Sequence, residues 1–125
     1  MILYYILGGE MGRLSLAGNI FFANTTVADA GDAGALPATG GTVNMTSAAA
    51  ETRTLANPAS LGIKLILVMD VDLGDIVITS ASGVNVAGNT ILTFDTAGES
   101  AVLESAQVGG SLVWRITHND GVALA

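Results

Sequence analysis

The chain contains no cysteine and a single histidine, His118. The first absence excludes disulfides and thiolate metal sites, and the second leaves a structural zinc site short of ligands. Lack of cysteine does not identify a redox compartment, since many secreted proteins also do without it. Charge is scarce too, at 12% of residues, where about 25% is usual. Basic residues are the rarer kind: four stand against eleven acidic ones, a formal net charge of −7. That balance repels phosphate backbones and anionic lipid alike, so neither nucleic acid nor a membrane is an expected partner. No G-x-x-x-x-G-K stretch offers a phosphate loop and no nucleophile elbow marks a catalytic serine. Neither a cofactor nor an enzymatic activity is expected.

What is abundant is apolar. Half of the 125 residues are hydrophobic, enough for one domain with a modest core and more than a soluble monomer ordinarily carries. Part of that surface is expected to face another chain. The opening MILYYILGGEMGRLSLAG places Ile2, Leu3, Tyr4, Tyr5, Ile6 and Leu7 in one run without the positive stretch of a signal peptide. A second apolar group, Ile20, Phe21 and Phe22, follows in GNIFFAN. These nine residues are the candidate contacts with other subunits or with a larger assembly. The run LGIKLILVMDV, Leu61 to Val71, contains Lys64 and is about half the length that spans a bilayer, so it reads as a buried strand.

Residues 23–50 consist mostly of Ala, Gly, Thr, Asp and Asn, a composition that does not form a core unaided. The expected division is therefore an extended N-terminal arm over residues 1–48 and a β domain over 49–125. Short apolar segments separated by turn residues predict strands at Glu51 to Leu55, Ile63 to Val71, Asp75 to Ser80, Val84 to Val86, Thr90 to Asp95, Ser100 to Ser105, Leu112 to Thr117 and Val122 to Leu124. The fold class is all-β, a compact antiparallel β-sandwich or barrel with an extended N-terminal arm. Alternation puts Ile76 and Ile78 on one face and points Trp114 into the core between Leu112 and Ile116, with Val113, Arg115 and Thr117 outward. TSAAAETR is a weak helix signal, and no fixed period suggests a solenoid.

The densest acidic cluster is MDVDLGD, where Asp70, Asp72 and Asp75 offer oxygen ligands to a hard cation. A strand-turn-strand corner requires Asp and Gly in any case, and the turn is the preferred reading. Asp95, Glu99 and Glu104 supply carboxylates for acid/base chemistry, but nothing positions them as a pair. Asp95 and Glu99 bracket a turn, and Glu104 falls outward in mid-strand. His118 reads as the last strand residue before an Asn119-Asp120-Gly121 turn.

Four stretches, TRTLANP, GDIVIT, GNTILTFDTAGESAVLES and WRITHNDGV, lie within Glu51 to Leu124. Together they resemble small β-rich modules of tailed-bacteriophage virions, namely capsid decoration (cement) proteins and head-fibre or tail-fibre modules. The resemblance covers about three-fifths of the chain and implies a non-enzymatic, trimeric structural protein on the capsid surface. Its expected partners are the major capsid protein and further copies of itself. A fibre-type module that binds a host or a carbohydrate is the alternative, with Trp114 as its only tryptophan.

Overall fold

The computed structural model describes residues 24–125 and contains nine strands there. They are β1 (Gly34–Ala35), β2 (Gly41–Thr46), β3 (Glu51–Leu55), β4 (Lys64–Val71), β5 (Ile76–Ser80), β6 (Ile91–Phe94), β7 (Ser100–Val108), β8 (Ser111–Asp120) and β9 (Ala123–Leu124). No helix occurs among the described residues. One sheet has the order β1-β3-β5-β6-β9 and the other β2-β4-β7-β8. The fold is all-β, two sheets packed face to face around a shared core.

Two features of the expected architecture are corrected. The sheets are mixed rather than antiparallel, because β1 and β3, β3 and β5, and β2 and β4 all pair in parallel. The chain crosses from one sheet to the other after each of β1 to β4, so strands returning to the same sheet run the same way. This half of the molecule is a two-sheet coil. Gly41 pairs with Leu65 and Glu51 with Ile76, steps of 24 and 25 residues. Towards the N-terminus Thr26 bridges to Thr42 and Gly34 pairs with Arg53, steps of 16 and 19. Unequal steps hide a coil from any search for a fixed period, which is why the sequence argued against a solenoid.

The second correction concerns the arm. Residues 34–46 supply β1 and β2, and β2 lines the core with Val43 and Met45, both fully buried. Leu36 joins the same cluster. GTVNMT has only two large apolar side chains, but they alternate inward and meet Leu65, Leu67 and Met69 of β4 across a parallel ladder. Support from a strand some 24 residues away is what the local composition does not reveal. The first 23 residues lie outside the described range.

From β5 onward the chain stops coiling and covers the exposed edges. β6 adds antiparallel to β5 and β9 to β6, while β7 adds to β4 and β8 to β7. β7 and β8 form a long hairpin about Gly109-Gly110, in which Val108 pairs with Ser111. A two-residue loop lets the ladder zip without interruption. Pairing continues to Ser100 opposite Asp120, with one irregularity opposite Val102 and Leu103. β8 therefore extends past its expected end at Thr117. The turn at its foot is made by the Asn119 side chain, whose Oδ1 accepts from the Val122 N–H and whose Nδ2 donates to the Val122 carbonyl. Val84 to Val86, expected as a strand, belongs to the β5–β6 connection, where Val84 still reaches the core.

The core contains Leu55, Leu65, Leu67, Ile76, Ile78, Leu92, Phe94 and Leu103, all at or near zero exposure. Each contributes roughly 1.5–3 kcal/mol of transfer free energy. Trp114 is the largest of the buried side chains, and its Nε1–H donates to the Ala56 carbonyl at 2.9 Å. That bond ties β8 of one sheet to the connection leaving β3 of the other. Val113, expected outward, is buried as well.

Strand alternation gives the sandwich two distinct ends. The β2–β3, β4–β5, β6–β7 and β8–β9 connections lie at one end, and the β1–β2, β3–β4, β5–β6 and β7–β8 connections at the other.

Candidate interaction surfaces

The most concentrated polar site is buried and absent from the sequence reading. Arg53, at an inward position of β3, has no exposure, although every other inward residue of that sheet near it is apolar or Ser80. Its Nε donates to Asp29 Oδ1 at 3.0 Å, and its Nη2 donates to Asp29 Oδ2 at 2.9 Å and to the Thr46 carbonyl at 3.2 Å. Nη1 donates to the Thr52 carbonyl. Glu51 Oε1 lies 2.9 Å from Nη2 in a position that makes an ion pair without hydrogen-bond alignment, and Glu51 Oε2 accepts from the Ala48 N–H. A planar guanidinium is suited to this two-pronged grip on a carboxylate.

Asp29 also accepts from the N–H groups of Thr46 and Gly31. Burial works against its charge, but the bonds from Arg53, Thr46 and Gly31, with the attraction of Arg53, hold its carboxyl below the ordinary aspartate value. Burial likewise opposes the charge of Arg53, and the carboxylates of Asp29 and Glu51 more than offset it, raising that group. The arrangement is an internal staple. It joins the segment before β1 to β2 and β3, and it holds no open space for a substrate. The signal available in the sequence was the alternation of TRTL, which puts Arg53 on the same face as Leu55.

Of the acidic residues singled out by sequence, Asp72, Asp95 and Glu99 are engaged in turns. Asp72 Oδ1 accepts from the Gly74 N–H, closing the β4–β5 corner. Glu99 Oε2 accepts from the N–H groups of Asp95 and Thr96, and Asp95 Oδ1 accepts from the Thr96 hydroxyl. Glu104 faces outward from β7, in register with Lys64 on one side and Arg115 on the other. No group of three His, Cys, Asp or Glu side chains is arranged to hold a metal ion among the described residues. His118 is exposed opposite Val102 on the outer face of its sheet.

Arg115 turns along the edge of β8, where Nη1 donates to the carbonyls of Gly83 and Trp114. The Ile116 N–H donates to the Val84 carbonyl. The β5–β6 connection and Arg115 thus cover the edge that would otherwise offer free backbone groups to another strand. Trp114 is only 1% exposed and offers no platform for a sugar ring. Ile2, Leu3, Tyr4, Tyr5, Ile6, Leu7, Ile20, Phe21 and Phe22 lie outside the described residues. Where the described chain begins, Asn24 and Thr25 line an open notch of about 400 Å³ with Thr39, Gly40, Ile63 and Lys64.

Neither protein-family models nor curated proteins match this chain.

Proposed function

We propose that the chain is a non-enzymatic structural protein of a tailed-phage virion, a decoration or cement protein that binds and stabilises the head. The observation that carries this reading is where the resembling stretches fall. TRTLANP lies on β3 and its exit, GDIVIT on the entry to β5 and most of that strand, GNTILTFDTAGESAVLES runs from the approach to β6 into β7, and WRITHNDGV covers most of β8 and the turn after it. They fall on strands of both sheets of one β framework, with β4 outside them. The major capsid protein is the partner, and the chain acts as a homo-oligomer, a trimer at a three-fold seat.

Attachment runs through the apolar residues of the first 22 positions. The test is binding to heads of the phage of origin from which the protein has been stripped. Removal of residues 1–22 abolishes binding while the β unit keeps its Trp114 emission; undiminished binding of the shortened chain overturns the assignment.

A further inference from the structure

The carboxylate side chains of the described residues are segregated. Asp70, Asp72, Asp75, Asp95, Glu99 and Asp120 stand at the strand ends and turns of the β4–β5, β6–β7 and β8–β9 connections. Asp29 and Asp32 bond to Thr46 and Thr52, and Glu51 opens β3, all towards that same end. Among the described carboxylate side chains only Glu104 lies elsewhere, and it is flanked by Lys64 and Arg115.

The opposite end is built from residues 37–40, 56–63, 81–90 and 105–111, and none of them bears a charged side chain. Three of the large hydrophobic side chains most open to solvent lie on these connections: Leu61 at 54%, Val86 at 98% and Val108 at 46%. The connections are mutually braced. The Ser105 N–H donates to the Ile63 carbonyl, and Ser105 Oγ accepts from the Ile63 N–H, which holds the Leu61 loop against the β7–β8 hairpin. A specific interface takes roughly 20–30 residues from each side and excludes charge from its centre. This end supplies both.

We infer that this opposite end, free of acidic side chains and with Lys64 and Arg115 at its rim, is the surface through which copies of this chain associate, with Leu61, Val86 and Val108 as its apolar anchors. The occupant is a second copy, and the net charge selects this surface for it. Two chains that each carry −7 repel unless their carboxylates are kept apart. Contact through these ends turns the acidic ends away from one another. Asn24 lies at this end beside Gly40 and Lys64, so association also gathers the chains' entry points on one side. The inference rests on the reading of the chain as an associating structural protein, and it names the surface.

Sedimentation equilibrium of the full-length chain tests it, with Leu61→Glu and Val86→Glu at the neutral end and Leu73→Glu at the acidic end as the control. Leu73 is itself 70% exposed, so the three variants are matched as surface changes and their folding is checked by Trp114 emission. The wild-type chain sediments as an oligomer, and each neutral-end variant weakens association by about tenfold or more, the cost of losing one well-packed anchor. Leu73→Glu leaves it intact. A wild-type monomer overturns the inference, as does an oligomer indifferent to Leu61→Glu and Val86→Glu or equally sensitive to Leu73→Glu. An oligomer that survives the neutral-end changes refutes this surface while self-association stands. Virion attachment is read separately, in the head-binding test.

Discussion

Arg53 grips both carboxylate oxygens of Asp29 from inside the sandwich, with Nε 3.0 Å from Oδ1 and Nη2 2.9 Å from Oδ2. The two residues are 24 apart in sequence and belong to successive turns of the coil. The pair therefore fastens the first described segment to β3, where a parallel ladder of only two residues, β1, would hold it weakly. Asp29→Ala leaves a buried guanidinium with Glu51 as its one carboxylate partner. Loss of one partner from a buried pair costs about 3–5 kcal/mol, here towards the lower figure because 14% of the Asp29 side chain meets solvent. Urea denaturation of Asp29→Ala against wild type measures it, and hydrogen exchange at the Thr46 and Val27 amides accelerates first.

The same pair sets a pH dependence of known sign. The folded-state value of Asp29 lies below its ordinary value of 3.8. Its contribution to stability is therefore complete above that ordinary value and is lost as pH falls through the lower folded value. Asp29→Asn is less stable than wild type at neutral pH, and the gap closes in strong acid. Denaturant midpoints taken from pH 7 down to pH 2 give the curve; a gap that widens in acid contradicts the ion pair.

Two glycines separate backbone strain from steric overlap. Gly40 and Gly62 both have left-handed φ, at 84° and 80°. A Cβ at Gly40 meets the Lys64 carbonyl oxygen at 2.6 Å, whereas one at Gly62 meets nothing within 4 Å. Gly62→Ala costs only the conformational penalty of about 1–2 kcal/mol. Gly40→Ala adds an overlap that forces the backbone apart, typically another 1–3 kcal/mol. Thermal melts of the two variants rank them, and equal destabilisation contradicts the close approach.

Trp114 carries a structural bond, from its Nε1–H to the Ala56 carbonyl. Trp114→Phe strands the Ala56 carbonyl and costs about 1–3 kcal/mol. Native emission is blue-shifted and does not respond to glycans; a red-shifted signal that glycans alter favours the fibre-type binding reading instead.

The parts of this fold legible in the sequence are those whose pattern is local. β3 stands where ETRTL puts it, and Ile76, Ile78 and Trp114 face inward as alternation requires. Turn chemistry accounts for Asp72 at the β4–β5 corner. What escaped notice is long-range. β2 has two large side chains and becomes a core strand only because β4 lies beside it in parallel. Arg53 sits in a strand of ordinary pattern, and its partner comes from a segment rich in Ala and Gly that reads as linker. The same distance in sequence that conceals these contacts is what lets them fasten one coil turn to the next.

Truncation distinguishes the expected domain boundary from the observed one. Removal of residues 1–48 deletes β1 and β2, bares the edge of β4 and strips Val43 and Met45 from Leu65, Leu67 and Met69. It also takes Asp29 from Arg53, which is then left buried beside Glu51. Either change alone costs several kcal/mol, and a whole domain is stable by only about 5–15 kcal/mol. The shortened chain therefore loses cooperative unfolding and its blue-shifted tryptophan emission. Removal of residues 1–22 touches none of these contacts, and that chain melts in one transition. A folded 49–125 fragment would return the boundary to residue 48 and make the coil's first turns an accessory; its failure makes residues 24–48 part of the framework that any attachment through the N-terminus must pull against.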